Sequence, residues 1–161
     1  FPRGAVAAAL SLAEPDLDPR YPPMEVSTGL PFLIVPLAEK DALARSSPDR
    51  AGIRALFESR APLGLYPFAS AGPGRFEARM FAPHLGVEED PATGSAAGCL
   101  AAYLSSKGFS GSFVVDAVIE QGAMVKRPSI IRIRTATSPT GAKVFVGGKA
   151  RIVAQGEMEI G

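Results

Sequence analysis

Hydrophobic and polar positions change period along this chain, and the changes divide it into elements. Residues 3–12 are rich in Ala and predict a helix that ends in the breaker-rich Glu14-Pro15-Asp16-Leu17-Asp18-Pro19. Two extended runs follow at 24–28 and 32–37, split by Gly29-Leu30-Pro31. Residues 39–45 predict a short helix. Ser47 then suits an N-cap with Pro48 at the first helical position, which opens a second helix to about Ser59. Ile53, Leu56 and Phe57 recur at helical spacing and mark its buried side.

From residue 63 the pattern turns to strands. Runs at 63–69 and 75–82 flank Ser70-Ala71-Gly72-Pro73-Gly74 and predict a hairpin. After a helix at about 94–107, stopped at Lys107-Gly108, strands are expected at 112–119, 129–136, 143–146 and 149–155. Ile131 and Ile133 alternate with Arg132 and Arg134, giving one buried and one wet face. Gly147-Gly148 fits a two-residue hairpin turn between the last two runs. Neither an internal repeat nor a low-complexity linker is visible. The expected class is α+β, with a largely antiparallel sheet.

The helix at 94–107 is unlike the others. Ala96-Ala97-Gly98-Cys99-Leu100-Ala101-Ala102-Tyr103-Leu104 contains no charge and small side chains on every face. A helix apolar all round is buried all round. Gly98 costs about 1 kcal/mol of helix stability relative to Ala, so a close backbone approach is the expected reason for it. The simplest arrangement wraps a curved sheet around this helix, with its N-terminus open at one mouth of the wrap.

Composition narrows the function classes. The 161 residues suit one domain, with 47% apolar and 20% charged residues. Seventeen basic against 16 acidic residues leave a net charge of +1, so there is no whole-chain field to attract nucleic acid or an anionic membrane. No apolar run reaches the roughly 18–20 residues that span a bilayer. The single Cys99 excludes an internal disulfide and fits the reducing cytoplasm. Phe1-Pro2-Arg3-Gly4 resembles no signal peptide and lacks an initiator Met, so the chain is expected to begin partway through a longer product.

Candidate chemistry gathers where Glu88-Glu89-Asp90-Pro91 runs through Ala92-Thr93-Gly94-Ser95 into the uncharged helix. A helix start presents unpaired N–H groups and a partial positive charge, and can hold an anion. Asp90 precedes a proline and should be extended just ahead of the turn. Thr93 or Ser95 can cap the helix, and Gly94 lets a ligand approach the backbone. A substrate carboxylate could then bind the N–H groups of Gly94, Ser95 and Ala96 while Asp90 handles a proton. The plain alternative is that Asp90 only complements the helix dipole and Thr93 is an ordinary cap.

Other residues carry less. His84 with Asp90 and Ser95 could compose a serine hydrolase, which serine-directed reagents would inhibit at Ser95. But Gly94-Ser95-Ala96-Ala97-Gly98 is not the G-x-S-x-G elbow, and Pro83-His84-Leu85-Gly86 reads as a loop turn. Cys99 reads as a small core residue. Glu88, Glu89 and Asp90 point in different directions with no His or Cys beside them, so a solvated acidic turn is expected and no metal. Lys126, Arg127, Arg132, Arg134, Lys143, Lys149 and Arg151 read as a wet sheet face without aromatic partners for base stacking.

Four stretches together resemble the phenazine biosynthesis PhzF-like family, within the diaminopimelate epimerase-like fold. They are Val26-Ser27-Thr28-Gly29-Leu30-Pro31, Arg79-Met80-Phe81-Ala82-Pro83, Glu89-Asp90-Pro91-Ala92-Thr93-Gly94-Ser95-Ala96, and Glu120-Gln121-Gly122 with Arg127-Pro128-Ser129. The resemblance covers essentially the whole chain, but only the family's C-terminal half. It implies a barrel-like lobe at 21–161 after an inter-lobe helix and linker at 1–20, with the active site in a cleft between two lobes. It further implies isomerisation or epimerisation by proton transfer on a small carboxylate substrate, with no metal or organic cofactor. Asp90 matches the family's active-site aspartate, and Gly94 and Ser95 its substrate-contacting turn.

Two departures accompany the match. The family's principal acid/base glutamate and its Gly-His motif belong to the N-terminal lobe and are absent from this sequence. Met124-Val125-Lys126 stands where the family commonly has Glu-Met-Gly, which bears on substrate specificity. The implied partner is therefore an N-terminal lobe, in the same or another chain, and the chain alone is expected to be weakly active or silent. The competing expectation is a non-catalytic small-acid binding or assembly module, pairing with a separate lobe or with a second copy of itself.

Overall fold

The computed structural model of the protein describes residues 1–58, 62–138 and 141–159. The apolar run at 32–37 becomes strand β2 (Pro31–Pro36), buried on both faces. Phe32 and Ile34 enter one apolar cluster, while Leu33 and Val35 enter another on the opposite side. Three short helices cover the second: α1 (Arg3–Ala9), α2 (Lys40–Arg45) and α3 (Arg50–Phe57) contribute Val6, Leu43 and Ile53. The first is covered by the long helix α4 (Gly94–Lys107).

Seven strands form one sheet in chain order: β1 (Met24–Ser27), β2, β3 (Leu65–Ser70), β4 (Arg75–Ala78), β5 (Asp116–Gln121), β6 (Ser129–Ser138) and β7 (Gly141–Gly147). Four of the six strand pairs are antiparallel, as expected; β2–β3 and β4–β5 are parallel. Both parallel pairs follow from helical crossovers, since α2 and α3 lie between β2 and β3, and α4 between β4 and β5. Helix α4 packs on β1 and β2 at one end of the sheet and on β6 and β7 at the other, so the sheet curls around it as a half-barrel. The result is the expected α+β lobe around an apolar helix.

Helix α4 buries Ala96, Ala97, Cys99, Leu100, Ala101, Tyr103 and Leu104. It stops at Gly108, whose left-handed conformation (φ 56°) lets its N–H close onto the Leu104 and Ser105 carbonyls. A side chain at Gly98 would begin 3.2 Å from Thr28 Oγ1 and 3.5 Å from Val146 Cγ2. The glycine therefore lets the helix meet both ends of the curled sheet.

Several boundaries differ from the sequence reading. Helix α1 ends at Ala9, because the chain turns through Ser11 at φ 56°. Helix α3 is capped by Asp49 and not Ser47: the Asp49 carboxylate accepts from the N–H groups of both Ala51 and Gly52. Strand β4 is shorter than 75–82, although Phe81 still bridges to Leu65. Strand β5 starts at 116, since a 3-10 turn at Phe109–Gly111 and the bend after it occupy the preceding residues. Residues 149–155 form no strand, and Ile152 and Val153 are 85% and 90% exposed. Ser138 pairs with Gly141 at the start of β7, which leaves Gly147-Gly148 at its far end and not between two paired strands. The basic face is also not free of aromatics, for the Arg134 guanidinium lies 4.9 Å over the Phe145 ring. Among the described residues no helix is long and apolar enough to cross a membrane.

Candidate functional site

The acidic turn is tied down residue by residue. Arg79, just past β4, holds Glu89 through two parallel hydrogen bonds of 3.1 and 2.6 Å, with the pair partly buried. Its remaining amino group donates to the carbonyls of Ser46 (2.6 Å) and Leu43 (3.2 Å), which anchors the turn to the end of α2. Glu88 pairs with Arg50. Asp90 donates its backbone N–H to Met80 O at 3.0 Å. Three consecutive acids thus have three separate attachments, and among the described residues none join a metal-binding cluster. The expected solvated turn is corrected at Glu89, whose side chain is largely shielded and paired with Arg79.

Asp90 heads a buried polar chain. The Thr93 hydroxyl donates to Asp90 Oδ2. Gln121, at the end of β5, donates from Nε2 to Thr93 Oγ1 (3.0 Å) and to the Asp90 carbonyl (2.7 Å). Its Oε1 accepts from the Tyr66 hydroxyl at 2.8 Å. Gln121 is 2% exposed and Tyr66 is fully buried, and burial pushes the Tyr66 phenol well above its usual range, with the Asp90 charge adding to the effect. Below the turn, Gly122 adopts φ +86°, and a Cβ there would lie 2.6 Å from the Pro91 carbonyl oxygen. The Asp90-Pro91 segment rests directly on the Gly122 backbone.

Thr93 occupies the N-cap position of α4 but makes no side-chain cap bond, because its hydroxyl is committed to Asp90. Among the described residues no side chain accepts from the N–H groups of Gly94, Ser95 or Ala96. Gly94 and Ser95 are exposed, while the Ala96 side chain is buried. An open hollow of about 860 Å³ adjoins this helix start, lined in part by Ala92, Gly94, Ser129, Ile131, Arg132 and Lys149. Two cations and a helix N-terminus on one hollow suit a small anion. Gly94 is among the lining residues, and Asp90, Ser95 and Ala96 are not.

The remaining candidates fall elsewhere. His84 sits on a 3-10 turn (Pro83–Leu85) with its ring edge-on to Phe57 at 5.4 Å. Among the described residues no hydrogen bond joins it to Asp90 or Ser95. Cys99 is buried, with its sulfur 3.4 Å from the Leu30 carbonyl oxygen. The sequence reading missed Gln121, Tyr66 and Arg79 as parts of the site. A signal for Gln121 existed: it shares the inward phase of Ala117 and Ile119, so it is a polar residue in a buried register.

With this geometry in hand, comparison with known proteins decides the family. The profile of the family described as phenazine biosynthesis-like protein matches residues 1–156. The chain belongs to this family. Among curated relatives, an uncharacterized isomerase of Deinococcus radiodurans is 35% identical over 155 residues, covering 94% of this chain and 50% of the relative. The trans-2,3-dihydro-3-hydroxyanthranilate isomerase of Pseudomonas fluorescens is 38% identical over 109 residues, covering 68% of this chain and 34% of the relative. The crystal structure of the Bacillus anthracis phenazine biosynthesis protein of the PhzF family superposes with a TM-score of 0.80 at 22% identity, over 91% of this chain and 52% of that one. That likeness carries the fold. The chain spans about half the length of the D. radiodurans relative and of the B. anthracis structure.

Proposed function

We propose that this chain is the C-terminal lobe of a two-lobed, cofactor-independent isomerase that moves a proton on a small carboxylate substrate. The observation that carries the reading is the Asp90 carboxylate, held by Thr93 beside a helix start whose N–H groups are left without a side-chain cap. In this scheme the N–H groups of Gly94, Ser95 and Ala96 hold the substrate carboxylate, and Arg132 and Lys149 add positive charge at the hollow. A glutamate from the other lobe abstracts a proton next to an activated carbon, and Asp90 assists or orients. The isomerase names of relatives about twice this length support the reading. A positioned acid/base contributes about 10²–10⁴-fold, so the 161 residues alone should be weak or silent. A second reading, an assembly module, is favoured by the exposed Ile152, Val153 and Met158, which would drive association with another lobe or a second copy.

The test compares the 161-residue chain with the protein isolated at its native length. Both are incubated with trans-2,3-dihydro-3-hydroxyanthranilate in D₂O, and conversion and deuterium uptake are followed by NMR. The native-length protein should exceed the 161-residue chain by at least about 100-fold, and Asp90→Asn should lower its rate by a similar factor. Equal rates from the two forms would sink the two-lobe reading. Added benzoate should shift the backbone amide signals of Gly94, Ser95 and Ala96 in the 161-residue chain, and unmoved amides would sink the carboxylate-binding reading.

A further inference from the structure

With Asp90 as a carboxylate, the polar chain behind it runs in one direction. Gln121 Nε2 faces the Asp90 carbonyl at 2.7 Å, and a carbonyl only accepts, so that end of the amide must be the nitrogen. Oε1 therefore faces Tyr66, whose hydroxyl must donate. The second Nε2 hydrogen goes to Thr93 Oγ1 at 3.0 Å. Thr93, already accepting there, turns its single hydroxyl proton onto Asp90 Oδ2. With Asp90 as a carboxylate, flipping the amide would set Oε1 against the Asp90 carbonyl, two acceptors face to face at a residue 2% exposed.

From this polarity we infer that Gln121 and Thr93 are positioning residues: they reserve Asp90 Oδ2 as a permanent acceptor and leave Oδ1 as the oxygen through which Asp90 exchanges a proton. The inference rests on Asp90 as a proton-handling group. Its backbone is held on both sides, by Met80 O on the N–H and Gln121 Nε2 on the carbonyl, which keeps the carboxylate beside the Thr93 hydroxyl. Any proton Asp90 takes forms its bond at Oδ1 and leaves from Oδ1. Gln121 and Tyr66 touch no ligand in this scheme. Their effect passes through Thr93.

Two measurements test this separately from the isomerase reading. In the isotopically labelled 161-residue chain, the Thr93 hydroxyl proton should give a resolved NMR signal with a cross-peak to the Gln121 Nε2 protons. It should exchange with water at least about tenfold more slowly than exposed hydroxyls. Exchange as fast as theirs would overturn the inference and leave the isomerase reading intact. In the native-length protein, Thr93→Val keeps the volume and removes the donor. It should lower kcat about 10- to 100-fold, with KM within about twofold, and Thr93→Ser should recover most of the loss. An unchanged kcat in Thr93→Val, with Asp90→Asn inactive, would also overturn the positioning role alone. Full activity in Asp90→Asn would instead remove the premise shared by both readings.

Discussion

Replacing Gly122 by Ala attacks the support under the acidic turn, and the structure separates its two costs. The backbone at Gly122 has φ +86°, and holding an L-residue in that left-handed region costs about 1–2 kcal/mol. The added Cβ would also stand 2.6 Å from the Pro91 carbonyl oxygen and 2.9 Å from Pro91 Cα, and would press on the Arg127 carbonyl. All three are main-chain atoms, so relief requires moving backbone, and overpacking of this kind costs about 1–3 kcal/mol. The sum is about 2–5 kcal/mol, a large share of the 5–15 kcal/mol that typically holds a domain together. Gly86 is the matched control. Its φ is +80°, and a Cβ added there would meet nothing within 4 Å, so Gly86→Ala should cost only the first part, about 1–2 kcal/mol. Urea unfolding followed by far-ultraviolet circular dichroism reads both variants. If Gly122→Ala costs no more than Gly86→Ala, the claim that Pro91 rests on the Gly122 backbone is wrong.

Other perturbations probe separate parts of the lobe. Arg79→Met should leave the partly buried Glu89 carboxylate without its partner and cost about 1–3 kcal/mol in the same urea assay, below the cost of breaking a fully buried pair. Leu100→Ala, in the fully buried stretch of α4, should cost about 2–5 kcal/mol, with the spread set by how far the half-barrel can close on the space. Asp16 receives a hydrogen bond from the Arg45 guanidinium and another from the Ala13 N–H, which hold its carboxyl below the ordinary value of 3.8. A carboxyl lowered on folding stabilises the fold fully above that ordinary value and loses the contribution as pH falls through the lowered one. The stability gap between the parent and Asp16→Asn should therefore be widest above about pH 4 and shrink on acidification, as read from urea midpoints across pH.

What could be read from the sequence depended on how far away the deciding partner lies. Helix α4 was legible because its own composition, apolar on every face, dictates burial whatever surrounds it. The apolar run at 32–37 likewise read as extended, and it forms β2. Caps and turns were harder, since two chemically adequate candidates often compete within a few residues. Ser47-Pro48 reads as a helix start, yet Asp49 wins because one carboxylate meets two N–H groups. Gly147-Gly148 reads as a hairpin turn, yet the register of β6 on β7 places the turn elsewhere.

The Thr93 hydroxyl shows why the site itself was only half legible. By local chemistry a threonine at the N-cap turns its side-chain oxygen to the helix N–H groups and fills the vacancy there. A site reading based on an open helix start is then self-defeating, because the residue that defines the start also closes it. Gln121 changes the outcome from 28 residues away: by donating to Thr93 Oγ1 it turns the hydroxyl proton to Asp90. One long-range contact thereby bears on both parts of the proposed site, holding the hydroxyl proton on Asp90 and leaving the Gly94, Ser95 and Ala96 N–H groups without a side-chain acceptor among the described residues. That contact is set by the β5 register and by the space under Pro91 that only Gly122 allows. Neither is written in the motif.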